Sequence, residues 1–155
     1  ETNAIVVGYG RFGQTVAQML MAKRIPVTLI DSKPQQIELS GEFGTKVYYG
    51  DGTRLDVLRA SGAASAEAVL VCIDDRKAAT AIAELVRWEF PMARLFVRAV
   101  DRGHALDLVH LGVDYQIRET FESAMKFGEA VLLGLGVPAE EVAAIGEDVR
   151  RRDRE

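Results

Sequence analysis

The chain has 155 residues, 48% of them apolar and 27% charged, with a formal net charge of −4. That is the size and balance of one globular domain, and the acid excess gives no reason to expect nucleic acid as a partner. A single cysteine, Cys72, excludes an intramolecular disulfide and fits a reducing compartment. No apolar run approaches the roughly 18 residues of a membrane span, and no leader-peptide pattern is present. The start at Glu1 without Met and the charged run from Arg150 to Glu155 read as an excised piece of something larger.

The first apolar run, Ala4 to Val7, is rich in β-branched residues and predicts a buried strand. Gly8, Gly10 and Gly13 follow with the spacing G-x-G-x-x-G, and a helix from about Arg11 to Lys23 carries Phe12, Val16 and Leu20 at i, i+4, i+8. Strand, glycine turn and helix form the setting a phosphate needs. The first glycine allows the tight turn, the second lets backbone approach a pyrophosphate, and the third lets the helix pack on the strand. The helix N-terminus then offers N–H groups and a positive dipole end. Pro26 turns the chain into a second strand, Val27 to Ile30, which ends at Asp31. That acid lies 18 residues past Gly13, where the motif places a carboxylate on a ribose hydroxyl.

Ser32-Lys33-Pro34 starts a second helix, which Gly41 and Gly44 bracket at its end. Lys46 to Tyr49 is the third strand. Gly50-Asp51-Gly52-Thr53 is the next strand-to-helix turn, and a short helix runs from Arg54 to Ser61. Ala68 to Ile73 is strand four and ends in Asp74-Asp75. A helix from Lys77 to Phe90 stops at Pro91. Strand five is Leu95 to Val100, a helix spans His104 to Leu111, and strand six is Val113 to Ile117.

Six strands with helical crossovers predict a doubly wound α/β fold of Rossmann type, a parallel sheet in the order 3-2-1-4-5-6. Ligands in such a sheet sit outside the carboxyl ends of the strands, at the switch between strands one and four. Those ends carry Gly8 to Gly13, Asp31 with Ser32 and Lys33, Gly50 to Thr53, Asp74, Asp75 and Arg98.

Asp31 accepts both ribose hydroxyls and disfavours a 2′-phosphate, which favours NAD(H) or AMP over NADP; Lys33 softens that preference. Arg11 reads as a phosphate partner at the helix start. Asp51 reads either as a contact to adenine or ribose or as a helix cap. The Asp74–Asp75 pair points apart on a strand end, which suits capping or a ligand contact better than acid–base chemistry. Arg98 reads as a cleft residue or as one half of a buried pair with Asp74 or Glu119. Cys72 is expected to be an inert core thiol. His104 and His110 make no metal site, and Trp88 and Phe90 are expected to pack.

From Glu119 to Leu135 the apolar residues form two stripes. Phe121, Met125, Gly128, Leu132 and Leu135 make one; Ala124, Phe127, Val131 and Gly134 make the other. A helix lying on its own sheet needs one stripe. Two imply a second partner, either another subunit or Pro138 to Val149 folded back over the second stripe. The chain therefore divides into residues 1–118, the nucleotide-binding part, and 119–155, an interface helix with a C-terminal segment. With about 35 residues after strand six and Lys126 as the one candidate base there, a dehydrogenase lacks its substrate domain. A non-catalytic ligand sensor fits better.

G-Y-G-R-F-G-Q at Gly8 to Gln14, Y-G-D-G-T-R at Tyr49 to Arg54, I-D-D at Ile73 to Asp75 and R-E-T-F-E at Arg118 to Glu122 resemble the nucleotide-binding regulatory domain of potassium channels and transporters, the RCK or KTN domain. Within it they resemble the glutathione-regulated potassium-efflux, or Kef, branch, which commonly reads G-F-G-R-F-G-Q, Y-G-D-A-T-R, A-I-D-D and R-E-T-F-E. The resemblance extends to about Leu135. It implies a homodimer joined through the helix after strand six, with Phe121, Met125, Gly128 and Leu132 at the interface. It also implies AMP or NAD(H) in the cleft, and a parent membrane protein with a cation/proton antiporter-like transport domain, at the cytoplasmic face of a bacterial inner membrane. A glutathione site is implied at the interface with Arg118 and its neighbour Glu119. A second family arginine falls at Gln18 and a family asparagine at about Asp153, and those two departures weaken the case for glutathione.

Overall fold

A computed structural model describes residues 3–33 and 45–154. Strands β1 (Ala4–Val7), β2 (Val27–Asp31), β3 (Thr45–Tyr49), β4 (Ala68–Val71), β5 (Arg94–Ala99) and β6 (Tyr115–Arg118) form one sheet in the order β3-β2-β1-β4-β5-β6. The pairings of β1 with β2 and β4, of β2 with β3 and of β4 with β5 are all parallel. Helices α1 (Arg11–Ala22), α2 (Leu55–Ala60), α3 (Arg76–Glu89) and α4 (Arg102–Leu111) make the crossovers. The expected second helix, from Ser32 towards Gly41 and Gly44, lies outside the described residues.

The central strands are apolar on both faces because both are covered. Ala4 and Val6 of β1 pack with Leu29 and with Ala17 of α1. Ile5 and Val7 turn the other way, towards Leu58 of α2 and Ile82 and Val86 of α3. β5 alternates instead: Leu95, Val97 and Ala99 are buried, whereas Arg94 and Phe96 are exposed. Phe90 packs as expected. Trp88 does not, being 84% exposed, because α3 buries Ala79, Ile82, Ala83 and Val86, a face that Trp88 lies off.

The chain forms two compact units, Glu1–Ile117 and Arg118–Glu155. In the second, α5 (Glu119–Gly134) and α6 (Ala139–Arg154) pack on one another. A Cβ on Gly146 of α6 would lie 2.9 Å from Glu129 Oε2 and 3.7 Å from Met125 Cε, so the helices approach closely there. The stripe that turns inward is thus the one containing Phe121, Met125 and Leu132, all half-buried. The other stripe is open: Phe127 is 74% exposed, and Ala124, Val131 and Gly134 are exposed too. Gly128 is also exposed. The arginine run forms the last turns of α6; Arg151, Arg152 and Arg154 are exposed, and Arg150 makes two hydrogen bonds to Glu122, at 2.9 and 3.0 Å.

Candidate functional site

The carboxyl ends of β1 to β4 are tied in one line by backbone bonds. The Gly8 N–H donates to Ile30 O, the Gly50 N–H to Asp31 O and the Cys72 N–H to Val7 O. This line is where the loops of the sequence motifs meet. At its centre, Gly8 has φ +97, a left-handed conformation that a side chain disfavours. A Cβ on Gly13 would lie 2.0 Å from the Gly8 carbonyl oxygen and 3.5 Å from Cys72 Cβ. Two glycines therefore let α1 start directly over the strand end. Gly10 is the residue before α1, and no side chain caps the helix; no acid stands in its first turn. The first turn of α1 thus presents N–H groups and a positive dipole end outward. Arg11, its first residue, is exposed.

Asp31 closes β2 beside this loop and is only 9% exposed. Its Oδ2 accepts the Tyr9 N–H at 2.7 Å and its Oδ1 accepts the Lys33 N–H at 2.8 Å. Both donors are backbone, so the carboxylate is aimed by the fold and keeps further lone pairs for a ligand. Ser32 and Lys33 beside it are exposed. On the β3 side, a Cβ on Gly52 would lie 2.6 Å from Val7 Cγ1, which brings the Gly50–Thr53 turn down onto the end of β1. Asp51 Oδ1 accepts from both the backbone N–H and the hydroxyl of Thr53, at 2.9 and 2.7 Å. Those bonds, chiefly the one from the hydroxyl, hold its carboxyl below the usual range. Its partner is the turn, and α2 has no side-chain cap.

On the β4 side, Asp75 caps α3 by accepting the Ala78 N–H at 2.9 Å, and Asp74 is exposed. Arg98 reaches across from β5: Nη1 lies 3.4 Å from Cys72 O, and the guanidinium stacks 5.0 Å from the ring centre of Phe12. It therefore touches the glycine loop through Phe12. Cys72 is buried, and burial pushes its thiol up to about 12, which makes it an inert core group.

Gln18 lies on the exposed side of α1, beyond the loop. Arg118 and Glu119 belong to the second unit. There Arg118 pairs with Asp153 of α6 and stacks 4.2 Å from the ring centre of Phe121. An acid in the last turn of α6 thus fills the guanidinium.

The burial of one polar group was not read from the sequence. His104 is fully buried at the start of α4. Its Nδ1 accepts the Val100 N–H at 3.0 Å, which makes Nε2 the protonated nitrogen, 3.0 Å from Thr80 Oγ1. Its helical position was visible in sequence; its strand-end partner was not. Among the described residues no group of His, Cys, Asp and Glu is arranged to hold a metal ion.

The TrkA-N domain family model matches residues 4–119. The whole chain is 40% identical to a glutathione-regulated potassium-efflux system protein of Haemophilus influenzae and covers 25% of that protein. The chain thus spans about a quarter of the length of the curated relatives it matches. Among solved structures, the Kef CTD of Shewanella denitrificans in AMP-bound form is 36% identical, with a TM-score of 0.89 over 98% of this chain and 93% of that one. GsuK bound to ADP is 25% identical, with a TM-score of 0.72 over 83% of this chain and 33% of that one. Strand order, glycine loop, family model and a solved relative of nearly equal extent agree, and the chain belongs to the TrkA-N, or RCK, domain family, alongside the domains of the glutathione-regulated potassium-efflux proteins.

Proposed function

We propose that the chain is a ligand-sensing regulatory domain of a larger potassium-efflux membrane protein of the K+/H+ antiporter-like kind. In this reading it works as a homodimer at the cytoplasmic face of a bacterial inner membrane and takes an adenine nucleotide, AMP or NAD(H), at the carboxyl ends of β1, β2 and β3. The observation that carries the reading is the Asp31 carboxylate, held by two backbone N–H groups beside the uncapped start of α1. A ribose diol on the carboxylate puts the phosphate next to the helix N-terminus. Arg11 supplies a cation, the Gly50–Thr53 turn borders the adenine side, and Arg98 steadies the loop through Phe12. The AMP and ADP named for two relatives support this choice of ligand.

A sensor acts by binding one state of its protein better than another, and the reading assigns no hydride transfer to this domain. The dimer is assigned to the open stripe of α5, Ala124, Phe127 and Val131. Glutathione, if it binds, meets an Arg118 already paired with Asp153, which makes it a weak ligand.

The test is calorimetry with AMP, NAD and NADH on the parent and on Gly10→Val, whose side chain fills the space of the phosphate. The reading expects heats from the parent and little from the variant. Equal heats, or steady NADH oxidation with a carbonyl substrate, would overturn it.

A further inference from the structure

The ends of β1, β2 and β3 stand side by side at the cleft, and each carries a different group. β1 runs through Gly8 and Gly10 into the uncapped start of α1, β2 ends on Asp31, and β3 ends on Tyr49. Asp31 stands between the other two, because β2 lies between β3 and β1 in the sheet. Asp31 and Tyr49 are register partners of the parallel β2–β3 pair, and the Gly50 N–H donates to Asp31 O just beyond them. Register partners present their side chains on the same face, on strands about 4.8 Å apart. That face is the one α1 covers: Leu29, two residues before Asp31, and Val47, two before Tyr49, both pack in the cluster that holds Ala17.

Tyr49 is 61% exposed, an open aromatic ring on the strand next to the Asp31 carboxylate. Tyr48 takes the opposite face, as alternation along a strand requires. The two aromatic rings of the glycine loop are already engaged: Tyr9 is buried, and Phe12 lies against the Arg98 guanidinium. A nucleotide has an order that matches the three strand ends. The 2′ and 3′ hydroxyls share one edge of the ribose. The base leaves from the carbon beside the 2′ position and the phosphate arm from the carbon beside the 3′ position. With the diol on Asp31 and the phosphate at the start of α1, the arm runs towards β1 and the base towards β3.

We infer that Tyr49 is the platform on which the adenine base stacks, and so a determinant of nucleotide affinity at this site. This rests on the reading above that AMP or NAD(H) occupies the cleft, and adds to it the side chain that meets the base. A base stacks on an aromatic side chain through its π-face, whichever groups its edge carries. The ring of Tyr49 therefore supplies the affinity, and its hydroxyl is dispensable.

AMP and NAD are titrated into the parent chain, Tyr49→Phe and Tyr49→Ile. Isoleucine suits a strand as well as tyrosine does but has no ring face. Tyr49→Phe should keep the parent affinity, and Tyr49→Ile should lose affinity on the order of tenfold. Proton NMR gives a readout that a merely structural role would not move. The ring protons of the bound adenine should shift upfield in the parent and in Tyr49→Phe, and not in Tyr49→Ile. Nucleotide bound equally tightly by Tyr49→Ile and the parent overturns the inference. So does a loss in Tyr49→Phe as large as in Tyr49→Ile, which assigns the contact to the hydroxyl, and so does bound nucleotide without an upfield shift in the parent. Each of these outcomes leaves nucleotide binding itself in place, whereas a parent chain that binds neither AMP nor NAD sinks the functional reading as well.

Discussion

The Tyr9 N–H donates to Asp31 Oδ2 at 2.7 Å, a bond between the first turn of the glycine loop and the end of the neighbouring strand. The same carboxylate holds the Lys33 N–H at 2.8 Å. One side chain therefore organises two loops before any ligand arrives. Asp31→Ala removes both acceptors and strands two backbone donors at a largely buried position. Leaving a buried donor unsatisfied costs about 1–3 kcal/mol, and a loss of that size is expected in urea unfolding. An unchanged midpoint would mean that water replaces the carboxylate without penalty.

The acid limb of stability is expected to report His104. Its imidazole is held neutral and below its ordinary 6.5, chiefly by burial and secondarily by Arg76; Asp101 and Asp107 oppose this. The unfolded chain then binds a proton that the folded chain does not. Stability from this group is complete above 6.5 and falls as the pH drops from there through the lower folded-state value. Protonation would also turn Nδ1 into a donor facing the Val100 N–H. His104→Gln should lower stability at neutral pH and flatten its slope below that point. An equally steep slope in the variant would assign the acid limb to other groups.

Much of this was legible in the chain. The order of six strands follows from alternating apolar runs and helical crossovers, and the cleft from the glycine spacing and Asp31. Element ends were off by a residue or more: β6 is Tyr115–Arg118 and not Val113 to Ile117, because the Val113 N–H still donates to Leu108 O at the end of α4. The role of Arg98 was not legible. Cys72 O and the Phe12 ring come from two other elements, and only the fold brings them to it. Two stripes on α5 were readable, but not which one the chain itself covers. That depends on the close approach of Gly146 to Met125 and Glu129 across α6.

Glutathione affinity is expected to rise when its competitor is removed. Asp153 occupies the Arg118 guanidinium that a peptide carboxylate would need. Asp153→Asn frees that charge and should tighten glutathione binding on the order of tenfold, about 1.4 kcal/mol, with AMP binding unaffected. A parent chain that binds glutathione as tightly as the variant would contradict the assignment.

Association is expected to depend on Phe127 more than on Phe121. Phe127 is open to solvent, whereas Phe121 lies under Arg118 within its own helical pair. Phe127→Asp would put a charge into an apolar contact and should give monomer in sedimentation with an unchanged melting temperature. Phe121→Asp should lower the melting temperature instead. A Phe127→Asp chain that stays dimeric would move the interface off this stripe.

The most direct measurement is an AMP titration followed by calorimetry on the parent and on Asp31→Ala, with the fold of each checked by circular dichroism. The parent should bind one AMP per chain, and the variant should be folded and bind little, because the ribose has lost its acceptor while the helix start that meets the phosphate is intact. Equal heats from two folded proteins would contradict a nucleotide site built on Asp31.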